Sequence, residues 1–161
     1  MSTSFQLASP SFGNDQPIPA RHTCEGEGTS PELAWSEPPK GAKGFALSMH
    51  DPDAPKGDFT HWLLWDIPVS ETSLAEGSGL QSSGATGSNS RGDVAYFPPA
   101  PPPGDPPHRY IFELYALDVA TLGLPRGSPR DEFEAALASH VLAGARLTGR
   151  FGRTSRQSAA R

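Results

Sequence analysis

Three stretches decide the fold: Gly44-Phe-Ala-Leu-Ser-Met-His50, Thr60-His-Trp-Leu-Leu-Trp-Asp-Ile67 and Arg109-Tyr-Ile-Phe-Glu-Leu-Tyr-Ala-Leu117. Each is a short run of aromatic and branched side chains bounded by residues that break regular structure. Pro38, Pro39 and Gly41 precede the first, Pro52, Pro55 and Gly57 separate the first two, and a proline-rich block from Pro98 to Pro107 precedes the third. That punctuation predicts strands joined by turns, at the spacing of a mainly β sandwich.

The rest of the chain is consistent with this. It has 161 residues, among them 17 Gly and 18 Pro, well above the usual combined share of about 12% and below the range of low-complexity disorder. Long helices are excluded, because prolines recur where helix interiors would have to run. The length suits a single domain over residues 1–161. One helix is expected: Ser128 as N-cap, Pro129 at the first helical position, Asp131 and Glu132 at the positive end of the dipole, and Phe133 and Leu137 at helical spacing. A last strand is expected around Ala143–Phe151. Residues 76–92, mostly Gly, Ser, Ala, Thr and Asn, read as a long flexible loop with little to bury, and residues 152–161 as a frayed tail.

A formal net charge of −5 argues against a partner of nucleic acid polymer, which needs a basic surface. The single cysteine, Cys24, rules out an intrachain disulfide. No leader is visible and no apolar run approaches the roughly 20 residues of a membrane span. A cytoplasmic protein that is not integral to a membrane is the simplest expectation.

Alternation points to a site. In the first strand Phe45, Leu47, Met49 and Asp51 share a face; in the second, Phe59, His61, Leu63 and Trp65; in the third, His108, Tyr110, Phe112 and Leu114. Each apolar row thus ends in a polar group, and if the strands are neighbours these groups surround one cavity. His50 falls on the opposite face and is read as structural. Alone, each residue has an ordinary explanation: Asp51 opens a turn before Pro52, and Tyr110 is an aromatic core residue. The joint pattern is what ordinary turns and cores do not produce.

The segments Asp51-Pro-Asp-Ala-Pro55, Phe59-Thr-His-Trp62, and Pro101-Pro-Pro-Gly104 leading to His108-Arg-Tyr110 resemble the signature of the phosphatidylethanolamine-binding protein family, in particular its prokaryotic branch of Raf kinase inhibitor-like proteins. Ile18-Pro19, Ser30–Trp35 and His140–Ala143 extend the resemblance over nearly the whole chain. It implies a Greek-key antiparallel β-sandwich with a few short helices and a small anion pocket. The ligand-binding residues it implies are Asp51, Asp53, His61, Pro101, Pro102, His108 and Tyr110. Asp51 is expected chiefly to orient His61. Arg109 points away from the pocket and is expected to form a buried structural pair with Asp53. The chain departs from the family where Gly-Gly-Pro-Cys-Pro-Pro is usual: Phe97-Pro-Pro-Ala100 brings an aromatic ring to the mouth, and Asp105-Pro-Pro107 adds about two residues.

The resemblance implies a non-catalytic binding protein for a phosphate-bearing small molecule, a phospholipid headgroup or a nucleotide, that modulates a kinase or protease partner. The alternatives are an inhibitor or scaffold with a vestigial pocket and, less supported, a metal-dependent or acid-base hydrolase using Asp51, His61 and His108. No metal or other cofactor is expected, because no tight ligand motif is present. Exposed edge strands are compatible with a homodimer.

Overall fold

The computed structural model describes residues 5–78 and 84–153. Among these residues nine strands form two sheets: β1 (Gln6–Ala8), β2 (Gln16–Pro17), β3 (Leu33–Ser36), β4 (Gly44–Asp51), β5 (Phe59–Pro68), β6 (Ser73–Leu74), β7 (Ala85–Thr86), β8 (His108–Leu117) and β9 (Val141–Phe151). The small sheet runs β1-β3-β6 and the large one β2-β9-β8-β4-β5-β7. The three stretches that predict the fold are therefore adjacent, with β4 between β5 and β8 and antiparallel to both.

Every residue of β4 is buried, although its sequence alternates. Both of its faces are covered. On one side Phe45, Leu47 and Met49 pack with Phe5, Trp35, Trp62 and Phe112 in the core between the sheets. On the other, Ala46 joins Leu63, Trp65 and Leu117 beneath Phe133 and Leu137 of the helix α1 (Arg130–Leu137). Alternation along β4 thus sorts side chains between two cores rather than between core and water.

The face expected for β5 is only partly realised. The register pairs His50 with Thr60 but Met49 with Trp62, so His61 is an extra residue in a β-bulge. A bulge moves every later side chain to the other face. Phe59 and His61 accordingly line the site, whereas Leu63 and Trp65 turn to the helix side and Trp62 and Leu64 enter the main core. A second irregularity between Leu64 and Ile67 contains Asp66, whose φ of 58° is left-handed. Its carboxylate accepts the Leu122 N–H at 2.9 Å.

Other expectations are adjusted at their edges. Pro129, not Ser128, is the N-cap residue of α1; the Ser128 hydroxyl donates instead to the Pro125 carbonyl at 2.6 Å. The last strand begins at Val141, two residues before the expected start. Within the expected loop 76–92, residues 79–83 lie outside the described residues. The remainder is more structured than its composition suggests, for Ala85–Thr86 pairs with Leu64–Trp65 and both Thr86 and Asn89 are buried. The Asn89 side chain accepts the N–H groups of Arg91 and Asp93 and donates to the Ala95 carbonyl, replacing an apolar core with local hydrogen bonds. Of the expected tail, only Gly152 and Arg153 are described.

Candidate functional site

The polar ends of β4, β5 and β8 meet at a cavity of about 430 Å³. Asp51, His61, Pro101, Pro102, His108 and Tyr110, all expected here, line it. Asp53 does not. Its carboxylate takes two hydrogen bonds from the Arg109 guanidinium, at 2.9 and 3.0 Å, and one from the Arg109 N–H. That pair is on the surface rather than buried, with side chains 45% and 33% exposed. The guanidinium holds the Asp53 carboxyl down at about 2.

Asp51 ends β4 just before Pro52, where the chain turns, and its two oxygens have separate tasks. One accepts the Asp53 N–H at 2.8 Å, which fixes the turn. The other accepts the His108 Nδ1–H at 2.7 Å, with both side chains almost wholly buried. Asp51 therefore orients His108, and the expected pairing with His61 does not occur. The bulge explains this: it turns the His61 ring toward the proline loop, where Nδ1–H donates to the Phe97 carbonyl at 2.6 Å while the Phe97 N–H returns a bond to the His61 carbonyl at 2.9 Å. Burial, outweighing that bond, pulls the His61 pKa down to about 4. At neutral pH the ring is uncharged and its free nitrogen, Nε2, is an acceptor.

His108 is the opposite case. Its Nε2 is 3.1 Å from the carboxylate of Asp105, so both ring nitrogens are held by acids. Burial opposes a charge on the ring, but the bonds to Asp51 and Asp105 outweigh it, and the pKa is raised. Against the family pattern Asp105 counts among added residues; the structure makes it a partner of His108. It sits in a turn closed by its N–H on the Pro102 carbonyl at 3.2 Å, after Gly104 at a φ of 89°. In Asp105→Asn the His108 pKa should fall while the fold persists, because only a half-exposed charge is removed; NMR titration of the histidine ring protons checks this, and an unchanged pKa would show that Asp51 alone sets it.

Tyr110 stands beside both histidines, its ring centroid 5.3 Å from that of His61 and 6.3 Å from that of His108. Its hydroxyl is buried and makes no protein hydrogen bond of ordinary length, with the Asp51 carboxylate near enough for only a weak one. Burial, reinforced by the charge of nearby Asp51, raises its pKa, so it remains a donor. The walls are apolar: Phe59 and Phe97 lie 5.7 Å apart, and Phe97 stacks on His61 at 5.6 Å. The aromatic residue that departs from the family pattern thus forms part of the mouth, as expected. The proline loop is seated on Gly28, where a φ of 76° and a Cβ position 2.8 Å from Pro98 admit no side chain.

Sequence reasoning misses three lining residues, the cations Lys56, Arg91 and Arg153. They come from three separate loops, and no periodicity marks them. The only available signal is that Lys56 follows the DPDAP turn directly. Arg91 lies over the Phe97 ring at 5.1 Å.

A two-sheet sandwich with a polar-floored cavity at one end of its central strands, walled by a proline loop, is a single distinctive architecture. The model of the phosphatidylethanolamine-binding protein family matches residues 8–152, and the chain belongs to that family. It is 41% identical over 156 residues to a UPF0098 protein of Aquifex aeolicus, covering 92% of this chain and 89% of that one. It is 40% identical over 145 residues to a Mycobacterium tuberculosis protein named as a candidate lipoprotein, covering 90% and 71%. Among solved structures, a Chlamydia trachomatis protein titled as a homologue of phosphatidylethanolamine-binding protein superposes with a TM-score of 0.88 at 36% identity, covering 94% of this chain and 99% of that one. Escherichia coli YbcL, titled as a member of the mammalian family, gives 0.88 at 30% identity, with 94% and 99% covered. No helix among the described residues is long and apolar enough to cross a membrane.

Proposed function

We propose that this chain is a non-catalytic receptor for a small phosphate-bearing ligand. The observation that carries the reading is the Tyr110 hydroxyl, a buried donor with no hydrogen-bond partner of ordinary length in a cavity whose floor also holds His108, its pKa raised by two carboxylates. A buried donor left unpaired costs about 1–3 kcal/mol, and a ligand oxygen removes that cost. His61 contributes in either of two protonation states. Neutral, its Nε2 accepts from a P–OH group; with a fully ionised phosphate beside it, the ring gains a proton and donates. In that second state binding strengthens as pH falls through the His61 pKa raised by the bound anion, toward the value of about 4 in the free protein.

Commitment of both His108 nitrogens to carboxylates supports binding over catalysis, since that ring is not free to carry protons to and from a substrate. Among the described residues no cluster of three or more His, Cys, Asp or Glu is arranged around a metal position. Modulation of a kinase or protease partner, homodimer formation and a cytoplasmic location belong to the same reading. The lipoprotein-named relative makes a membrane-anchored placement the alternative, which cell fractionation decides. The function is tested by titrating orthophosphate, phosphoethanolamine and a nucleoside monophosphate while following the His61 and His108 ring signals. Saturable shifts at both histidines are expected; silence from all three ligands would remove the anion pocket.

A further inference from the structure

Among the described residues five arginines are committed to carboxylates, and of the six remaining cations three converge on one place. Arg21, Arg109, Arg130, Arg146 and Arg150 each form an ion pair. Lys56, Arg91 and Arg153 pair with no described carboxylate, and all three line the same cavity. In a chain of net charge −5 this is a local excess of positive charge, gathered from the β4–β5 loop, the segment before the proline loop and the residues after β9.

Three further observations place this excess at the mouth and connect it to a ligand. Lys56 and Arg91 are exposed, whereas Asp51, His61, His108 and Tyr110 are buried, so the cations form a rim above the floor. Arg91 is laid on Phe97 at 5.1 Å, which fixes a guanidinium at the opening. The Arg153 Nε is buried without a protein partner, matching the unpartnered Tyr110 hydroxyl below it. Floor and rim therefore each keep a donor unused by the protein. The acid nearest the floor gives no such opportunity to the rim, because Asp51 is already matched by His108.

We propose that Lys56, Arg91 and Arg153 form a second anion subsite, so that the pocket selects small ligands carrying two anionic groups, one on the floor and one at the mouth. The class comprises diphosphate esters and phosphorylated carboxylic acids, in contrast to a phosphodiester headgroup with a single negative charge. Bidentate guanidinium contacts favour this second group over a solvated one. The subsite rests on the floor reading proposed above, since the inner group must be seated for the outer one to be measured against it.

The test compares orthophosphate with pyrophosphate on the full chain by calorimetry, with the histidine ring signals as the report of floor occupancy. Pyrophosphate should bind about tenfold tighter than orthophosphate, equivalent to roughly 1.4 kcal/mol. In the double variant Arg91→Gln with Arg153→Gln that advantage should vanish while orthophosphate affinity is nearly kept, and Lys56→Gln should remove part of it. Arg91 and Lys56 are exposed and Arg153 half-buried outside the two apolar cores, so the fold should persist, which thermal melts check. Equal affinity of the native chain for the two anions would overturn the subsite and leave the floor standing. So would a double variant that weakens both anions equally, because the cations would then only steer ligands inward. If neither anion moves the His61 or His108 signals of the native chain, the floor reading fails and the subsite fails with it.

Discussion

Asp51→Asn is expected to lower the His108 pKa, leave His61 uncharged at neutral pH, and destabilise the fold by about 3 kcal/mol, the lower end of what removing one partner of a buried ion pair costs. The substitution keeps the volume and one acceptor for the Asp53 N–H, so the turn at Pro52 survives. What it removes is the negative charge 2.7 Å from His108 Nδ1. The ring must then either carry a charge in a buried site with only Asp105 to balance it or give up its proton. His61 is affected little because its low pKa comes first from burial, with Asp51 only a lesser opposing influence. Urea unfolding measures the stability loss and histidine NMR measures the two titrations. A variant in which His61 moves and His108 does not would restore the expected orientation of His61 by Asp51. Phosphate affinity should fall as the His108 pKa falls, which separates Asp51 as a positioning residue from one that merely repels the ligand.

The strands were legible because proline and glycine bound them and because their apolar rows are long. Asp51, His108 and Tyr110 were legible for the same reason: β4 and β8 keep one unbroken register from Gly44 to His50, so alternation carries to their ends. β5 was not, because no glycine or proline marks the bulge at His61, and the extra residue shows only when the strand is paired. The burial of both faces of β4 was hidden for a similar reason, since it depends on α1 arriving from far along the chain. Asp105 was read as a spacer because a residue between prolines has no period to betray its direction. Arg91 and Arg153 lie in segments whose composition speaks only of loops, and their convergence is a property of tertiary structure. The family resemblance supplied the pocket; the rim had no motif to supply it.

His50, set aside as structural, anchors the second large effect. On the helix side of the large sheet its Nδ1 lies 2.8 Å from Asp58, its Nε2 lies 3.6 Å from Glu113, and Glu113 also accepts from Arg146 at 2.6 Å and from the Tyr115 hydroxyl at 3.1 Å. Arg130 closes the chain of alternating charges on Asp58 at 3.0 Å. The close approach of His50, ahead of the opposing effect of burial and helped by Arg146, holds the Glu113 carboxyl at about 2 against an ordinary 4.5. A carboxyl depressed in the folded state stabilises the protein above its unfolded pKa, and that stabilisation is lost as pH falls through the folded value. For Glu113, with a side chain 20% exposed, this amounts to about 3 kcal/mol. It is complete above pH 4.5 and gone by about pH 2. His50 has the reverse sign. Burial opposes its charge, but Glu113 and Asp58 outweigh it and raise its pKa, so its contribution is full below 6.5 and declines as pH rises through the folded value. The pair therefore contributes most between about pH 4.5 and the raised pKa of His50. Glu113→Gln should lower the unfolding free energy by about 3 kcal/mol at pH 6 and by little at pH 2, so its melting temperature should depend less on acid than that of the native chain. A parallel pH dependence in the two proteins would show that the acid lability resides elsewhere, with the Asp51–His108 pair the next site to substitute.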